Sequence, residues 1–437
     1  MSLTAQLAEL LHTRQPGEQE RHHARDGVTD LLASMVPVLY GSVHDSGLEP
    51  VIHVYPSQHS TENLALQFGY LSHALDFDDY HATFRGHPTT VVLSALMALS
   101  HKAPAVGVQA FLDAYIVGVE LAGRLGKAIG TRHYSAGFHS TATLGTVAAT
   151  GAACRLLNLT LSQTQIALGL AATQASGLRS QFGSAAKPLH AGLAARSAVG
   201  SALLAQAGFA GQADGVVESF LQALGFGAEQ PQQLLEGWGA PWRIVSPGLE
   251  FKRYPTCGGT HSAAEAAFVL REQLLTPDGP DIGAIDRIEV SFPPGADTAP
   301  NIIAPRNGVE ARFSLEYVIA DALINGSVAL ENYTEQPVKP HIAALAARVS
   351  RHPDRTAPAD ELDPDLRFHR VTLLLRNGQR LSHCVTRRET AALPTNVQAK
   401  LHTQLRALPA SLAERIFEDA RLADDAALQR LISLLSK

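Results

Sequence analysis

The chain has 437 residues, of which 46% are hydrophobic and 17% are charged, and its formal net charge is −6. This length predicts two domains around a large buried interior. The acidic balance, without any long basic run, argues against nucleic acid or an anionic membrane as a partner. A site for an acidic metabolite would therefore have to gather its cations locally.

Helical periodicity dominates the chain as far as about residue 268. Segments such as QAFLDAYIVGVELAGRLGKAIG place apolar residues three and four positions apart, which is typical of amphipathic helices. Alanine, glycine and serine are frequent in residues 141–210. Because small side chains let helices approach closely, we predict a tightly packed helical domain over residues 1–268.

The period changes to two after the turn at residues 277–280. In IDRIEVSF, apolar and polar residues alternate as in a half-buried strand. The sequence FHRVTLLLRNGQRLSHCVT predicts a hairpin, because Asn377-Gly378 favours a type I′ turn between its two extended runs. Residues 311–332 and 340–350 are predicted as helices between the strands.

These patterns predict a mainly α fold, with a large all-helical domain plus a smaller α+β lid domain. The helical domain covers residues 1–268 and the α+β domain covers residues 269–390. Helical periodicity returns over residues 391–437, and we expect these C-terminal helices to pack back on the helical domain.

Cysteine usage and the N-terminus indicate the compartment. The three cysteines, Cys154, Cys257 and Cys384, are far apart and form no CxxC pair, so neither a disulfide framework nor a zinc knuckle is expected. The first 27 residues contain no apolar stretch of signal-peptide length. We therefore expect a cytoplasmic protein.

The densest polar cluster is HALDFDDYHATFRGHPTT, at residues 73–90. Asp76 and Tyr80 are four residues apart and would share one face of a helix. The alternative is that the aspartates cap a helix and that His87-Pro88 begins the next one. Asp and His also suit a metal, but no HxxxH or HExxH spacing is present, so we predict no metal site.

Two further clusters place single polar residues at predicted helix starts. His139 precedes Ser140-Thr141, and a helix N-terminus disfavours the charged imidazole, which leaves the neutral form that a general base requires. Lys187 stands in a small-residue, apolar environment before Pro188, which suits a first helical turn. Each has a simpler alternative: a histidine that fills a helix entrance, and a lysine that snorkels to the surface.

Two later segments add candidate binding residues. Lys252 and Arg253 lie just before a Gly-Gly loop, with His261 at the start of the next helix, an arrangement that favours carboxylate binding. An ordinary domain-boundary loop would look the same. Cys257 has no evident partner base and is not favoured as a nucleophile. Tyr317, in ARFSLEY, taken alone suits a core position better than a site.

Taken in order, HALDFDDYH…GHP, GFHST…GT, KPLHAG, FKRYP…TH and ARFSLEY resemble the MmgE/PrpD family from about residue 60 to residue 325. That family includes 2-methylcitrate dehydratase, cis-aconitate decarboxylase and iminodisuccinate epimerase. The resemblance implies a homodimer without metal or organic cofactor, whose site lies between a helical domain and a lid. It implies these catalytic residues: His139, Lys187, His87, Asp76 and Tyr80. It implies these substrate-binding residues: Lys252, Arg253, His261 and Tyr317.

Two segments differ from the family pattern. Tyr80 stands where many members have threonine, so the site is bulkier there. RRETAALPTNVQAK replaces the GxPxNPMT-like stretch that is common in dehydratases. Both differences weaken the case for 2-methylcitrate as the substrate.

The expected function is acid–base catalysis on a small di- or tricarboxylic acid, with proton abstraction next to a carboxylate and loss of water or CO2. His139 is the expected base, with Lys187 as a competitor, and His87 or Tyr80 would deliver a proton. The alternatives are an epimerase or racemase of an iminodisuccinate-like dicarboxylate, an Asp/His metal-dependent hydrolase, and a non-catalytic protein that only binds carboxylates.

Overall fold

The computed structural model describes residues 1–436 and is 57% helical. Helices of the first 225 residues are α1 Leu3–Thr13, α2 Glu18–Leu39, α3 Leu48–Val54, α4 Thr61–His73, α5 Pro88–Lys102, α6 Val108–Ile129, α7 Arg132–Ser135, α8 Ser140–Leu156, α9 Leu161–Ala172, α10 Ala186–Gln206 and α11 Val216–Gly225. The later helices are α12 His261–Glu272, α13 Gly308–Ala311, α14 Leu315–Asn325, α15 Pro340–Ala346, α16 Arg387–Ala392, α17 Val397–Leu405, α18 Ala410–Asp419 and α19 Asp425–Leu435. The strands are β1 Leu275–Thr276, β2 Gly279–Pro280, β3 Ile285–Phe292, β4 Val349–Pro353, β5 Phe368–Leu375 and β6 Arg380–Thr386.

The first hydrophobic core is built from helices alone. Helix α10 packs on α4 and α8, while α5 and α6 pack against α8 from other sides. Helices α17, α18 and α19 add buried residues such as Leu401, Ile416 and Leu431 to the same core. The C-terminal helices thus join the N-terminal ones. Within residues 1–436, no helix is both long enough and apolar enough to cross a membrane.

The second core lies between helices and a four-stranded sheet of order β4-β3-β5-β6. Strand β3 pairs in parallel with β4 and antiparallel with β5, and β5 pairs antiparallel with β6. Helices α12 and α14 pack against each other, and α12 contacts β5 and β6. In β3, Ile288, Val290 and Phe292 are buried, as the alternating pattern requires.

The structure confirms the predicted strand and hairpin, because β3 covers IDRIEVSF and β5 and β6 flank the Asn377-Gly378 turn. Gly378 has φ 87°, a value that favours glycine. The helix predicted at 340–350 is wrong at its end, since α15 stops at Ala346 and β4 pairs with β3 from Val349. The helix predicted at 311–332 is likewise interrupted: α14 ends at Asn325.

The packing also differs from the expected division at residue 268. The second core begins at Tyr254 and includes the buried alanines of α12. Residues 254–268 therefore pack with the sheet, whereas the sequence pattern placed them with the first helices. The helical periodicity of α12 predicts a helix, but it does not predict which of the two hydrophobic cores that helix packs in.

Helices α4 and α10 approach so closely that their contact tolerates no side chain at two positions. A Cβ atom on Gly69 would lie 2.8 Å from the Cα of Gly192, and one on Gly192 would lie 2.5 Å from the carbonyl oxygen of Leu66. Because α4 leads into residues 74–87 and α10 carries Lys187, this contact fixes the distance between two parts of the cavity described below.

We expect Gly192→Ala to destabilise the protein by about 1–3 kcal/mol, because the added methyl group meets a fixed carbonyl oxygen. Gly200→Ala, on the same helix, is the matched control: its Cβ would come no closer than 3.9 Å to Glu62. Relief of glycine's entropy cost should make that variant more stable by about 0.5–1 kcal/mol. Denaturant midpoints measure both changes, and equal midpoints for the two variants would contradict the close-packing argument.

Candidate active site

A cavity of about 300 Å³ is lined by residues of both cores and of the segments that join them. Its acidic lining residues are Asp76 and Glu250. Its Lys and Arg residues are Arg85, Lys187, Lys252, Arg253, Arg367 and Arg387. Six cations and two carboxylates thus line a cavity in a protein with more acidic than basic residues. This concentration of positive charge suits a ligand with several negative charges.

Asp76 joins two lysines that lie far apart in the sequence. Its Oδ1 accepts hydrogen bonds from Lys187 Nζ at 2.9 Å and from Lys252 Nζ at 2.7 Å. All three side chains are buried. Burial opposes ionisation of Asp76, but the two ammonium groups outweigh it and hold the pKa of this carboxyl well below its usual value. The carboxylate therefore stays charged and holds both ammonium groups in place.

The backbone around Asp76 explains how the carboxylate reaches the lysines. Helix α4 ends at His73, and Asp76 has φ 51°, in the left-handed region that a non-glycine residue rarely adopts. Lys252 Nζ also donates to the carbonyl oxygen of Asp76 at 2.8 Å. The next residues are fixed by paired backbone hydrogen bonds between Tyr80 and Glu250. The strained turn is thus held by contacts on both sides.

His73 connects Lys187 to a second carboxylate. Lys187 Nζ donates to His73 Nε2 at 2.8 Å, so the imidazole hydrogen lies on Nδ1, which donates to Asp78 at 2.8 Å. Burial lowers the pKa of His73 although Asp78 opposes this effect. Burial also lowers the pKa of Lys187, against the attraction of Asp76. His73 is therefore a neutral acceptor that orients the ammonium group.

His87 presents an unprotonated nitrogen to the cavity. Its Nδ1 donates to the carbonyl oxygen of Asp79 at 2.6 Å, and a carbonyl can only accept, so the neutral ring carries its hydrogen on Nδ1. Nε2 lies 3.8 Å from Asp76 Oδ1. Burial lowers the pKa of His87 well below its usual value, although Asp78 opposes this. The ring is therefore ready to accept a proton at Nε2.

His139 lies beside the same group of residues. Its ring stacks on His73 with centroids 5.8 Å apart, and its Nδ1 lies 3.2 Å from Nδ1 of His190. Nε2 of His139 is buried and has no hydrogen-bond partner among residues 1–436. Burial, and then Lys187, lower the pKa of His139 well below its usual value. Burial and Lys187 thus favour the neutral ring, and one ring nitrogen is left for a ligand.

Several helix N-termini meet at this cavity. His87 is the N-cap of α5, His139 is the N-cap of α8, and Lys187 lies in the first turn of α10. His261 begins α12 and also lines the cavity. Each N-terminus carries a partial positive charge and free N–H groups. Together they favour an anion in the cavity.

The structure brings eight of the nine predicted site residues to the cavity, since every one except Tyr317 lines it. Tyr80 is T-shaped to His87, with ring centroids 6.1 Å apart. His261 is buried, and burial lowers its pKa to about 3. Arg253 is exposed and lies 3.7 Å from Glu265.

Tyr317 is the exception among the predicted residues. It is buried in the second core against Tyr333, and its hydroxyl accepts a hydrogen bond from the backbone N–H of Lys339 at 3.2 Å. This placement corrects the expectation that Tyr317 binds substrate. In this structure its side chain packs the core, which is what its sequence neighbourhood taken alone had favoured.

Sequence reasoning missed several residues that the fold brings to the site. Arg367 and Arg387 come from the ends of β5 and β6, and Phe182 and Phe313 place aromatic rings near Lys187 at 5.3 and 5.8 Å. One signal was available for Arg387: it belongs to RRETAALPTNVQAK, which differs from the dehydratase pattern, and residues 390–395 of this segment also line the cavity. Phe313 also lies in a motif, ARFSLEY, in which only Tyr317 was predicted as a site residue. Arg367 and Phe182 carried no local signal.

One group of side chains has the composition of a metal site. Candidate ligand atoms of His73, Asp76, Asp78 and His87 lie within 4.8 Å of one another. However, the ammonium group of Lys187 bonds both Asp76 and His73, so a divalent cation there would meet direct repulsion. This geometry argues against the metal-dependent hydrolase alternative.

The fold and the site define a mainly helical, two-core protein with a buried cationic cavity containing neutral histidines. The MmgE/PrpD N-terminal domain model matches residues 17–228 and the C-terminal domain model matches residues 254–425, and the chain belongs to this family. The chain is similar to cis-aconitate decarboxylase of Mus musculus, 30% identical over 329 residues that cover 71% of this chain and 64% of the mouse protein. The cis-aconitate decarboxylase of Homo sapiens is 28% identical over 361 residues, 79% of this chain and 72% of the human protein. That of Aspergillus terreus is 29% identical over 340 residues, 71% and 67% respectively. The matched region thus spans slightly less than two thirds of the mouse protein.

The state of His87 gives a prediction for ligand binding. The free ring is neutral near pH 7 because its pKa lies below 6.5. A bound polycarboxylate would raise this pKa, so binding of tricarballylate at about pH 7 should be accompanied by proton uptake. Affinity should then fall as the pH rises through the pKa of the complex. Calorimetry in buffers of different ionisation enthalpy measures the uptake.

His87→Gln should abolish this uptake, and His12→Gln should leave it unchanged, since His12 lies on α1 and bonds Thr164 outside the cavity. Unchanged uptake in His87→Gln would assign the proton to another group.

Proposed function

We propose that this protein is a lyase that removes CO2 from cis-aconitate or a closely related unsaturated tricarboxylate. The observation that carries the proposal is the pair of lysine ammonium groups on Asp76, beside two neutral histidines at helix N-termini. The names of the similar proteins support the choice of reaction. No step of the proposed reaction requires an oxidant, a reductant or an organic cofactor.

Binding would follow from charge and hydrogen-bond geometry. Lys187 and Lys252 each have one donor left over, because an ammonium group carries three hydrogens and each uses two. Lys187 donates to Asp76 and His73, and Lys252 donates to the carboxylate and to the carbonyl oxygen of Asp76. Charge-assisted hydrogen bonds to a carboxylate are roughly twice as strong as neutral ones. We assign one substrate carboxylate to this pair and to the free N–H groups of the neighbouring helix starts.

The proposed chemistry starts with cleavage of the bond between the departing carboxylate and the carbon atom that bears it. The electron pair moves through the adjacent double bond to the carbon next to a remaining carboxylate, so negative charge develops on that carboxylate. Lys187 and Lys252 stabilise this charge, and preorganised donors of this kind contribute about 10²–10³-fold each. A proton then bonds to that carbon, and the product keeps one double bond.

His87 is the proposed proton donor. Its Nε2 takes up a proton when the substrate binds, because the carboxylates of the substrate favour the charged ring. It then transfers the proton to carbon, a step for which a positioned acid contributes roughly 10²–10⁴-fold. Tyr80, which contacts His87, is the alternative donor.

His139 has a different part in this proposal from the one that the sequence suggested. Decarboxylation needs no base to begin, so a neutral His139 would donate from Nε2 to a substrate carboxylate if His190 donates to its Nδ1. Dehydration would instead require His139 to remove a proton from carbon. The relatives named above are decarboxylases, which favours the first role and gives no support to the epimerase alternative.

The remaining expectations on partners belong to this proposal. The small carboxylic acid is the proposed partner, and a homodimer is proposed from family membership alone. Light scattering during gel filtration tests the dimer.

Proton NMR in D2O tests the reaction directly. With cis-aconitate we expect loss of CO2 and one deuterium bonded to carbon in the product. Lys187→Met and His87→Gln should each lower kcat/KM by about 10²-fold or more, because they remove charge stabilisation and the acid respectively. Lys102→Met, at the exposed end of α5, is the matched control and should keep the wild-type rate.

Loss of water from citrate or 2-methylcitrate without loss of CO2 from cis-aconitate would replace the decarboxylase by a dehydratase. Near wild-type rates in both Lys187→Met and His87→Gln would overturn the proposed mechanism whatever the substrate.

A further inference from the structure

The cavity has a second group of cations beyond Lys187 and Lys252. Arg85, Arg367 and Arg387 all line it and come from three separate segments: the loop after Tyr80, the residue before β5, and the first residue of α16. Tyr80 lies close both to this group and to His87. Its ring faces His87 on one side, and the guanidinium carbon of Arg387 lies 5.8 Å from its centroid.

Three carboxylates pair with these three arginines, and they differ in how far they are buried. Arg367 makes two hydrogen bonds of 2.6 Å to buried Asp360, which lies 3.5 Å from Arg85. Arg387 pairs with Glu250 and also with Asp365, whose side chain is 49% exposed. Solvent screens Asp365 more than the other two carboxylates, so within the more buried part of the group two carboxylates, Asp360 and Glu250, face three guanidinium groups.

Hydrogen-bond donors are left over in this group. Within residues 1–436, neither Nη1 of Arg367, Nε of Arg387 nor the hydroxyl of Tyr80 has a hydrogen-bond partner. A guanidinium presents its N–H groups in a plane that matches a carboxylate. Burial raises the pKa of Glu250, against the attraction of Arg387.

We infer that Arg85, Arg367 and Arg387, with the hydroxyl of Tyr80, bind a second carboxylate of the substrate, remote from the one held by Lys187 and Lys252. This inference rests on the proposed function and narrows its substrate class to acids with carboxylates at both ends of the molecule. It also gives a role to Tyr80 and to the segment that begins at Arg387, the two places where the sequence differs from the dehydratase pattern.

Two inert ligands test the second subsite without turnover. Tricarballylate and methylsuccinate share the same carbon skeleton, except that methylsuccinate lacks one terminal carboxylate. Wild-type protein should bind tricarballylate more tightly by about tenfold or more, the ratio expected for one charge-assisted pair. Calorimetry gives both dissociation constants.

The variants are chosen so that no buried carboxylate loses its partner. Arg387→Met is combined with Glu250→Gln, and Arg85→Gln is made alone because Asp360 keeps its two short bonds to Arg367. Either variant should reduce the preference for tricarballylate by about tenfold while methylsuccinate binds within about threefold of wild type. Arg132→Gln, an exposed arginine outside the cavity, should leave the preference unchanged.

Equal weakening of both ligands, or an unchanged preference in both variants, would overturn the second subsite. Neither result would bear on loss of CO2 from cis-aconitate by the wild-type protein. Conversely, a preference that depends on the arginines, in a protein that releases no CO2, would retain the subsite and reject the decarboxylase.

Discussion

The carboxylate of Asp76, shared between Lys187 and Lys252, is the interaction on which the rest of the site depends. It joins residues that are more than one hundred positions apart, and it holds two ammonium groups in a buried place that neither would occupy alone. Such a group adds little to stability, because desolvation of the charges offsets much of their attraction. The strained backbone of Asp76 adds a further cost. Buried charges and backbone strain that cost free energy without stabilising the fold are characteristic of a functional site.

The helical core serves this interaction by pointing helix starts at one cavity. His87, His139 and Lys187 each lie at or next to the first residue of a long helix, and the contact of α4 with α10 fixes the distance between Lys187 and the segment that follows α4. The same positive potential has two effects. It adds to the effect of burial, which lowers the pKa of both histidines, and it favours an anion whose negative charge would then stabilise a protonated ring. In the proposed reaction, binding and proton transfer would thereby be coupled through electrostatics.

Local patterns predicted local structure well and long-range packing poorly. The alternation in IDRIEVSF and the Asn377-Gly378 turn specified β3 and the hairpin, because both depend on neighbouring residues only. Strand β4 escaped notice because it is stabilised by pairing with β3, some sixty residues earlier. The ordered motifs located most of the cavity. Arg367 stood in no motif, and Tyr317 stood in one but packs inside the core, since a motif does not show where its side chains point.

The overall charge of the protein raises the question of how an anion would enter. A net charge of −6 repels an anionic ligand at long range, but mobile ions screen this field beyond about 8 Å at physiological ionic strength. Inside that distance the six cations and two carboxylates of the cavity wall dominate. Attraction would therefore begin at the mouth, where exposed Arg253 lies, and increase toward buried Lys187 and Lys252. Selectivity among anionic ligands then depends on the local arrangement of cations. A ligand with one carboxylate would bind either the lysines or the arginines and would lack the contacts with the other group.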